Sequence, residues 1–374
     1  MTPTLAQSRA RFEGTRLVLA RQLRGLLKRE LAERVGKTPA AIGQFENGQC
    51  QPDNVTLNAL AFALGVRPSF LQPREVNGYF SAETCHFRSL RSSTTRERRH
   101  LLARGALVRD MVSVLEEHVE FPEVEIPEVM DAEMLTVRHA EGAAVAVRAA
   151  LDLGHDPIPN TIDLIEQLGA VVVPMNQGSR RVSAFSCWTG DRPFVFLNHH
   201  DDNARSRTRF DNAHEFGHLV LHADVSPGNR EVEVQADRFA SAFLLPRVAF
   251  LDEHPRRVHW DELLRMKRRW GVSLAALVRR GYDLGVYSEA QYRRAYVELN
   301  RLSWRQREPD EEALPDETPT MLLTAVDEAD TVGFGADELA AELGLPTQDI
   351  HAVLLGSELL GFCSSEPEME DDTG

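Results

Sequence analysis

The chain has 374 residues, with 42 lysines and arginines, 57 aspartates and glutamates, and a formal net charge of −15. It is too long for one small domain and long enough for two or three domains with cores of their own. No apolar run approaches the ~20 residues of a membrane span and no hydrophobic signal region is seen, so we expect a soluble, cytoplasmic protein without a membrane partner. The four cysteines form no C-x-x-C pair, which argues against a disulfide framework and a cysteine zinc site.

The charge is divided unevenly along the chain. Residues 1–110 contain 18 basic against 9 acidic residues, and the remainder contains 24 against 48. An acidic total therefore conceals a basic N-terminal part. Such asymmetry indicates nucleic-acid binding at one end only.

The N-terminal part has the pattern of a bundle of short helices. Gly36 supplies a tight turn, Thr38 caps the following helix, and Pro39 occupies its first position, where a missing N–H costs nothing. Ile42 and Phe45, three residues apart, give that helix a buried side. This is helix-turn-helix spacing. Beside an uncertain fifth helix, the predicted helices are 16–24, 28–35, 39–46 and 55–64.

These residues resemble the Xre, lambda-repressor-like family: the match covers 25–32, 36–48 with Phe45-Glu-Asn-Gly48, Pro52, and Leu60-Ala61 with Leu64-Gly-Val66. The resemblance implies an all-α domain over residues 10–72 that binds double-stranded operator DNA with its third helix in the major groove. The DNA-facing residues it implies are Lys28, Thr38, Pro39, Ala40, Gly43, Gln44 and Asn47. Only Gln44 and Asn47 are obvious readers of adenine, so phosphate contacts should supply most of the affinity. A homodimer on paired half-sites is one expectation, and a module used only for dimerisation is the alternative.

A basic connector, residues 73–130, follows this head. Its patch at 87–91 and 96–99 could lie along DNA phosphates, pair with carboxylates of the acidic half, or simply be solvated. A helix is predicted over 100–118. Two prolines and several glutamates then predict an extended linker over 120–131.

The next region, residues 131–300, is predicted to be an α+β domain. Helices are expected at 131–153 and 162–168, a buried strand at 170–174, and a hairpin that pairs 184–188 with 194–197. A small sheet beside the following helix would offer an edge strand to an extended peptide substrate.

The chemistry is carried by the sequence His214-Glu-Phe-Gly-His218, an H-E-x-x-H motif. Helical positions four apart lie one above the other, so His214 and His218 can offer two imidazoles to one cation. Glu215 is then placed to take a proton from an attacking water, which suits zinc-dependent hydrolysis. His222, one turn further on, either faces the site or caps the helix end.

Two histidines do not fill a zinc (Zn2+) site, and a second predicted helix supplies the third ligand. Glu233 is the first choice and Glu231 the fallback, because helix phase cannot be fixed to two residues from sequence. Asp237, one turn beyond Glu233, could accept the free ring N–H of a ligating histidine. Candidates for an oxyanion donor are His222, His199, His200 and Tyr282.

This region resembles the ImmA/IrrE metallopeptidase family. The matching residues are strand 194–198, Arg209 to His218 with Leu221-His222, Glu233-Val-Gln-Ala-Asp237 through Ala240, and Leu244-Leu-Pro246. The resemblance implies a gluzincin-like endopeptidase that cleaves a repressor. It assigns His214, His218 and Glu233 as zinc ligands and Glu215 as general base.

Helices at 260–270, 274–284 and 289–299 are predicted to complete that domain, and residues 301–374 form an acidic C-terminal region. From residue 308 onward there are 19 acidic residues and no lysine or arginine. Apolar spacing at 321–326, 336–343 and 350–360 predicts a small helical bundle, followed by a loose acidic end. Whether this bundle covers a partner-binding surface, mimics nucleic-acid charge or is merely solvated stays open.

The expected fold is therefore multidomain and mainly α with a small β-sheet. The first functional hypothesis is a DNA-tethered, site-specific zinc endopeptidase that cleaves a repressor or another regulator, such as a toxin–antitoxin partner. The second is an operator-binding repressor or antitoxin-like regulator whose metal site is structural or inactive. The third is a ligand sensor in which the peptidase-like pocket controls the head.

Overall fold

The computed structural model describes residues 12–74, 85–86, 94–127, 136–175, 183–198, 205–223 and 230–359. The basic patch at 87–91, His199, His200 and the acidic end after residue 359 lie outside the described residues. Within the described ranges the chain is mostly helical with one small sheet, which confirms the predicted fold class. None of the helices in these ranges has the length and apolar character needed to cross a membrane.

The chain divides into two compact units that interleave along the sequence. Unit 1 comprises Met1–Phe80, Thr94–Val119 and Ala325–Gly374, and unit 2 comprises Ser81–Ser93 and Glu120–Thr324. The helices of unit 1 are α1 (Gly14–Leu23), α2 (Lys28–Arg34), α3 (Pro39–Glu46), α4 (Asn54–Leu64), a 3₁₀ helix (Pro68–Leu71), α5 (Thr95–Leu115), most of α14 (Met321–Thr331), α15 (Ala336–Leu343) and α16 (Thr347–Leu354).

The first four helices have the predicted helix-turn-helix order. Thr38 Oγ1 accepts the Ala41 N–H at 3.1 Å and Pro39 opens α3, as the sequence predicts. Gly36 has φ +63°, a left-handed conformation that glycine adopts without steric cost, so the chain can turn sharply between α2 and α3. Leu31 and Ile42 are fully buried and join the two helices in one core.

Helices from the C-terminal part of the chain complete unit 1. Asp349 of α16 pairs with Arg24 at 2.5 Å, and both side chains are almost completely buried. Arg104 of α5, also buried, donates to the carbonyls of Ala352 and Ser357. The predicted four-part division stays a prediction. The boundaries of the two compact units differ from those of the four predicted regions. Contacts between residues far apart in sequence define the units, and such contacts leave no local pattern.

Unit 2 contains a four-stranded sheet in the order β1-β3-β4-β2. Strands β3 and β4 form the predicted antiparallel hairpin, β2 runs parallel to β4, and β1 pairs antiparallel with β3. Strands β2 and β4 are almost wholly buried, which explains their runs of valine and phenylalanine. The strands are β1 (Cys85–His86), β2 (Val171–Met175), β3 (Ala184–Thr189) and β4 (Arg192–Asn198).

Helices pack against this sheet and share its core. Helix α8 packs against α9, β3 and β4, and α6 packs against α9. The buried core runs from Ala140 to Leu299, with Trp270 among its largest side chains. These helices are α6 (Val137–Ala150), α7 (Thr161–Gln167), α8 (Arg205–Leu221), α9 (Arg230–Leu244), α10 (Arg247–Glu253), α11 (Trp260–Trp270), α12 (Leu274–Asp283) and α13 (Glu289–Arg301), with a 3₁₀ helix at Glu311–Ala313.

Part of the acidic C-terminal region fixes the start of α8. Glu311 accepts the Ser206 N–H at 2.9 Å and the Ser206 hydroxyl at 2.6 Å, so its negative charge lies at the positive end of the helix dipole. Glu308 likewise accepts the Leu274 N–H at the start of α12. The fully buried Lys267 ammonium donates to both glutamates. We call residues 308–317 the acidic strap, since it holds the amino ends of both helices.

Candidate metal centre and helix-turn-helix surface

Close packing of α8 and α9 brings their polar residues together. Gly217 lies between the two histidines of the H-E-x-x-H motif, and a Cβ there would lie 2.9 Å from Phe239 of α9. The absence of a side chain therefore permits the close approach of α9. On the buried side, Phe216 packs against Phe239 and Phe243 with ring centroids 5.9 and 5.3 Å apart.

The structure brings His214, His218 and Glu233 together, with ligand atoms within 4.8 Å of one another. The two Nε2 atoms are 3.1 Å apart, and the Glu233 oxygens lie 3.5 and 3.7 Å from them. A tetrahedral zinc ion with bonds of about 2.0–2.2 Å separates its ligand atoms by about 3.3–3.6 Å. Glu231, the fallback ligand, is exposed and lies outside this group.

Hydrogen bonding and charge at His214 also suit a cation. Asp237 Oδ1 lies 2.9 Å from His214 Nδ1, so His214 donates its Nδ1–H to Asp237 and its Nε2 points toward His218 and Glu233. Burial lowers the pKa of His214, but hydrogen bonds to Asp237 and Glu233 outweigh it and raise the pKa to about 10. The surrounding carboxylates thus favour a positive charge at this point. The donor set and its spacing fit zinc.

Glu215 is buried beside this cluster and faces the sheet. Its Oε2 accepts a hydrogen bond of 2.7 Å from Ser186 Oγ on β3. Burial raises the pKa of Glu215 to about 7, although His214 and the Ser186 hydroxyl oppose the rise. A carboxyl group with such a pKa can both accept and return a proton near neutral pH. The catalytic and ligand roles of these residues stay predictions.

His222 lies in a position that the sequence left open. Its Nδ1 is 3.1 Å from His218 Nδ1, and its Nε2 is 2.8 Å from Gln235 Oε1. Its side chain therefore faces the centre from behind His218. Since both ring nitrogens are engaged there, His222 is a poor candidate for the oxyanion donor. The ring of Tyr282, another candidate, stacks on Tyr292.

The edge of β3 nearest this centre is already paired. Cys85 and His86 of β1 lie opposite Cys187 and Ser186. Ser186 is the residue that donates to Glu215, so β1 takes the place that an extended peptide would need beside Glu215. Strand addition at these positions requires β1 to leave.

The residues predicted to face DNA lie on the accessible side of the helix-turn-helix. Gly43 is partly buried, and the others are exposed: Lys28, Thr38, Pro39, Ala40, Gln44 and Asn47. Lys28 also has an internal role, because its ammonium lies 3.1 Å from the buried Glu46 carboxylate, which Arg21 contacts as well. The geometry leaves Gln44 and Asn47 available to a groove, and their DNA contacts stay predictions.

Replacing Gln44 with alanine is expected to reduce discrimination between DNA sequences by about 1–3 kcal/mol, the usual contribution of one bidentate base contact. The measurement compares the affinity of the full chain for its best DNA sequence, selected from a random pool, with its affinity for single-base variants. Asn58→Ala, exposed on α4, is the control and should change neither value. Unaltered discrimination by Gln44→Ala would remove Gln44 from the reading surface.

The sequence did not predict the contacts that three residues make at the centre: Ser186, His222 and Gln235. Ser186 falls inside a buried strand where no pattern marks it, and Gln235 is a single polar residue between Glu233 and Asp237. The position of His222 depends on the pairing of α8 with α9. The part of this arrangement that the sequence did indicate is the spacing of positions 233 and 237, which lie one turn apart on α9.

Unit 1 thus contains a helix-turn-helix, and unit 2 contains a centre of two histidines and one glutamate. Residues 17–71 match the helix-turn-helix family model, and residues 165–281 match the peptidase M78 model, described as the IrrE N-terminal-like domain. The chain is therefore a fusion of an Xre-like helix-turn-helix domain with an ImmA/IrrE-type peptidase-family domain, which confirms both predicted resemblances. A search of curated proteins gave no match.

Proposed function

We propose that this protein is a DNA-binding regulator with zinc-dependent, site-specific endopeptidase activity. The observation that carries the proposal is the convergence of His214, His218 and Glu233 beside the buried Glu215. Two imidazoles and one carboxylate make a three-ligand zinc set that leaves a position open for chemistry. A purely structural zinc site normally uses four protein ligands.

Each residue of the centre has a separate role in the proposed peptide hydrolysis. Zinc would supply Lewis-acid polarisation of a scissile carbonyl and of the attacking water. Glu215 accepts the proton of that water and delivers it to the leaving amine, and the Ser186 hydroxyl holds the carboxylate in place. Asp237 orients His214.

The helix-turn-helix unit gives this activity a location. A peptidase held on DNA meets a target bound at a neighbouring site at high effective concentration, as tethered binding modules do. This favours a repressor or another DNA-bound regulator as the substrate, in keeping with the family resemblance. Cleavage of that protein would release the genes under its control.

Purified wild-type protein is expected to contain about one zinc per chain, and His214→Ala and Glu233→Ala are expected to lose it because each removes one of three ligands. Elemental analysis of full-length protein prepared without chelator measures this. Glu231→Ala is the matched control, since Glu231 is an exposed glutamate on the same helix. A wild-type protein without metal would contradict the peptidase proposal and favour an operator-binding repressor with an inactive site.

A further inference from the structure

Behind the candidate ligands, three polar side chains form a continuous chain of hydrogen bonds. It runs from His218 Nδ1 to His222 Nδ1 over 3.1 Å and from His222 Nε2 to Gln235 Oε1 over 2.8 Å. All three residues are buried, with exposed fractions of 0%, 1% and 4%. At such burial each polar contact needs a matching donor and acceptor.

The amide oxygen of Gln235 fixes the protons along this chain. A carbonyl oxygen only accepts, so His222 Nε2 carries the proton of that bond. In a neutral His222 ring the Nδ1 atom then has a lone pair, and His218 must donate its Nδ1–H to it. His218 Nε2 is left with a lone pair directed at His214 Nε2, 3.1 Å away. A metal ligand requires that arrangement.

The opposite orientation of the Gln235 amide would reverse every bond. Its NH2 group would donate to His222 Nε2, His222 Nδ1–H would donate to His218 Nδ1, and the proton of His218 would sit on Nε2. That proton would occupy the direction of the metal. The presence of an acceptor at position 235 therefore favours the tautomer of His218 that can bind a cation.

We propose that His222 and Gln235 are positioning residues that hold His218 in its metal-binding tautomer. Asp237 does the same for His214, so α9 supplies Glu233 and both distal acceptors at 235 and 237. The inference rests on the proposed metal-dependent function. It adds a second pair of contacts that orients a ligand, beside the contact of Asp237 with His214. His222 and Gln235 act on metal binding through His218, since neither residue belongs to the ligand group.

The test compares Gln235→Leu with Gln235→Glu in the full-length protein. Leucine approximates the size of glutamine without an acceptor, whereas a glutamate carboxylate can only accept. Loss of the acceptor is expected to weaken zinc binding about 10- to 100-fold, the usual effect of removing such a partner. Glutamate is expected to keep wild-type affinity. Zinc affinity is measured by competition with a chromophoric chelator, and the visible spectrum of the Co2+-loaded protein reports the ligand set.

A packing role for Gln235 predicts the reverse order, because leucine suits a buried position better than a charged glutamate. His222→Phe provides a second variant that breaks the chain at another ring and should weaken zinc binding as Gln235→Leu does. Wild-type affinity in a folded Gln235→Leu or His222→Phe protein would overturn this inference while leaving the proposed function intact. Equal loss in Gln235→Glu and Gln235→Leu would also overturn it. Absence of zinc binding by the wild-type protein would remove the proposed function and the inference together.

Discussion

Replacing Glu215 with glutamine is expected to lower the rate of peptide cleavage about 10²- to 10⁴-fold, the usual contribution of a general base. Glutamine is nearly isosteric and can still accept the Ser186 hydrogen bond, so the packing of α8 on β3 should be retained. It cannot take a proton from the attacking water. Since Glu215 is outside the ligand group, zinc content should stay at the wild-type value, and DNA binding should be unchanged.

The measurement compares new protein N-termini, identified by mass spectrometry, in cells that express the wild-type chain or Glu215→Gln. Termini that appear only with the wild-type chain identify the substrate and its cleavage site. Glu231→Gln is the control, because it makes the same chemical change at an exposed position of α9. Full cleavage by a zinc-loaded Glu215→Gln protein would exclude Glu215 as the base.

Replacing Asp349 with alanine is expected to destabilise unit 1 by about 3–5 kcal/mol, the usual cost of leaving one member of a buried ion pair alone. Arg24 would keep its hydrogen bond to the Leu64 carbonyl but lose the carboxylate at 2.5 Å. Its side chain has an exposed fraction of only 4%, so water cannot replace the lost partner without rearrangement.

Chemical denaturation, followed by a probe placed in unit 1, measures this free energy of unfolding. Glu342→Ala is a matched control, because the Arg74–Glu342 pair also joins the N-terminal part of unit 1 to α15. That pair is 3.5 Å long and its glutamate is 59% exposed, so its loss should cost about 0–1 kcal/mol. Equal stability of the two variants would show that the buried pair contributes no more than the surface one.

Much of the fold could be predicted from local patterns in the sequence. Thr38 with Pro39 marks the start of α3, an apolar run marks β4, and the helices predicted at 260–270, 274–284 and 289–299 correspond to α11 to α13. The pair His214 and His218 needs only helix geometry to converge. These features depend on residues a few positions apart, which is the range over which a sequence pattern has direct physical meaning.

Contacts between residues far apart in the sequence could not be predicted. Glu311 holds the start of α8 although it lies 105 residues away, and Asp349 meets Arg24 across 325 residues. Acidic residues in a region without lysine or arginine read as a solvated surface, because nothing local shows that their cations come from other elements. The pairing of β1 with β3 was equally hidden, since two residues are too few to show an alternating pattern.

The two-ended assembly of unit 1 sets an order for folding during synthesis. Ribosomes deliver the chain from its N-terminus, so residues 12–74 emerge early, while Asp349 emerges only after the whole of Glu120–Thr324. Until then Arg24 and Arg104 have no native acceptors from α16 or the residues just after it. The peptidase unit can therefore fold first, and the DNA-binding unit reaches full stability last. A nascent chain that stalls before residue 349 carries all of Glu120–Thr324, including His214, His218 and Glu233, but lacks the α16 partners of Arg24 and Arg104.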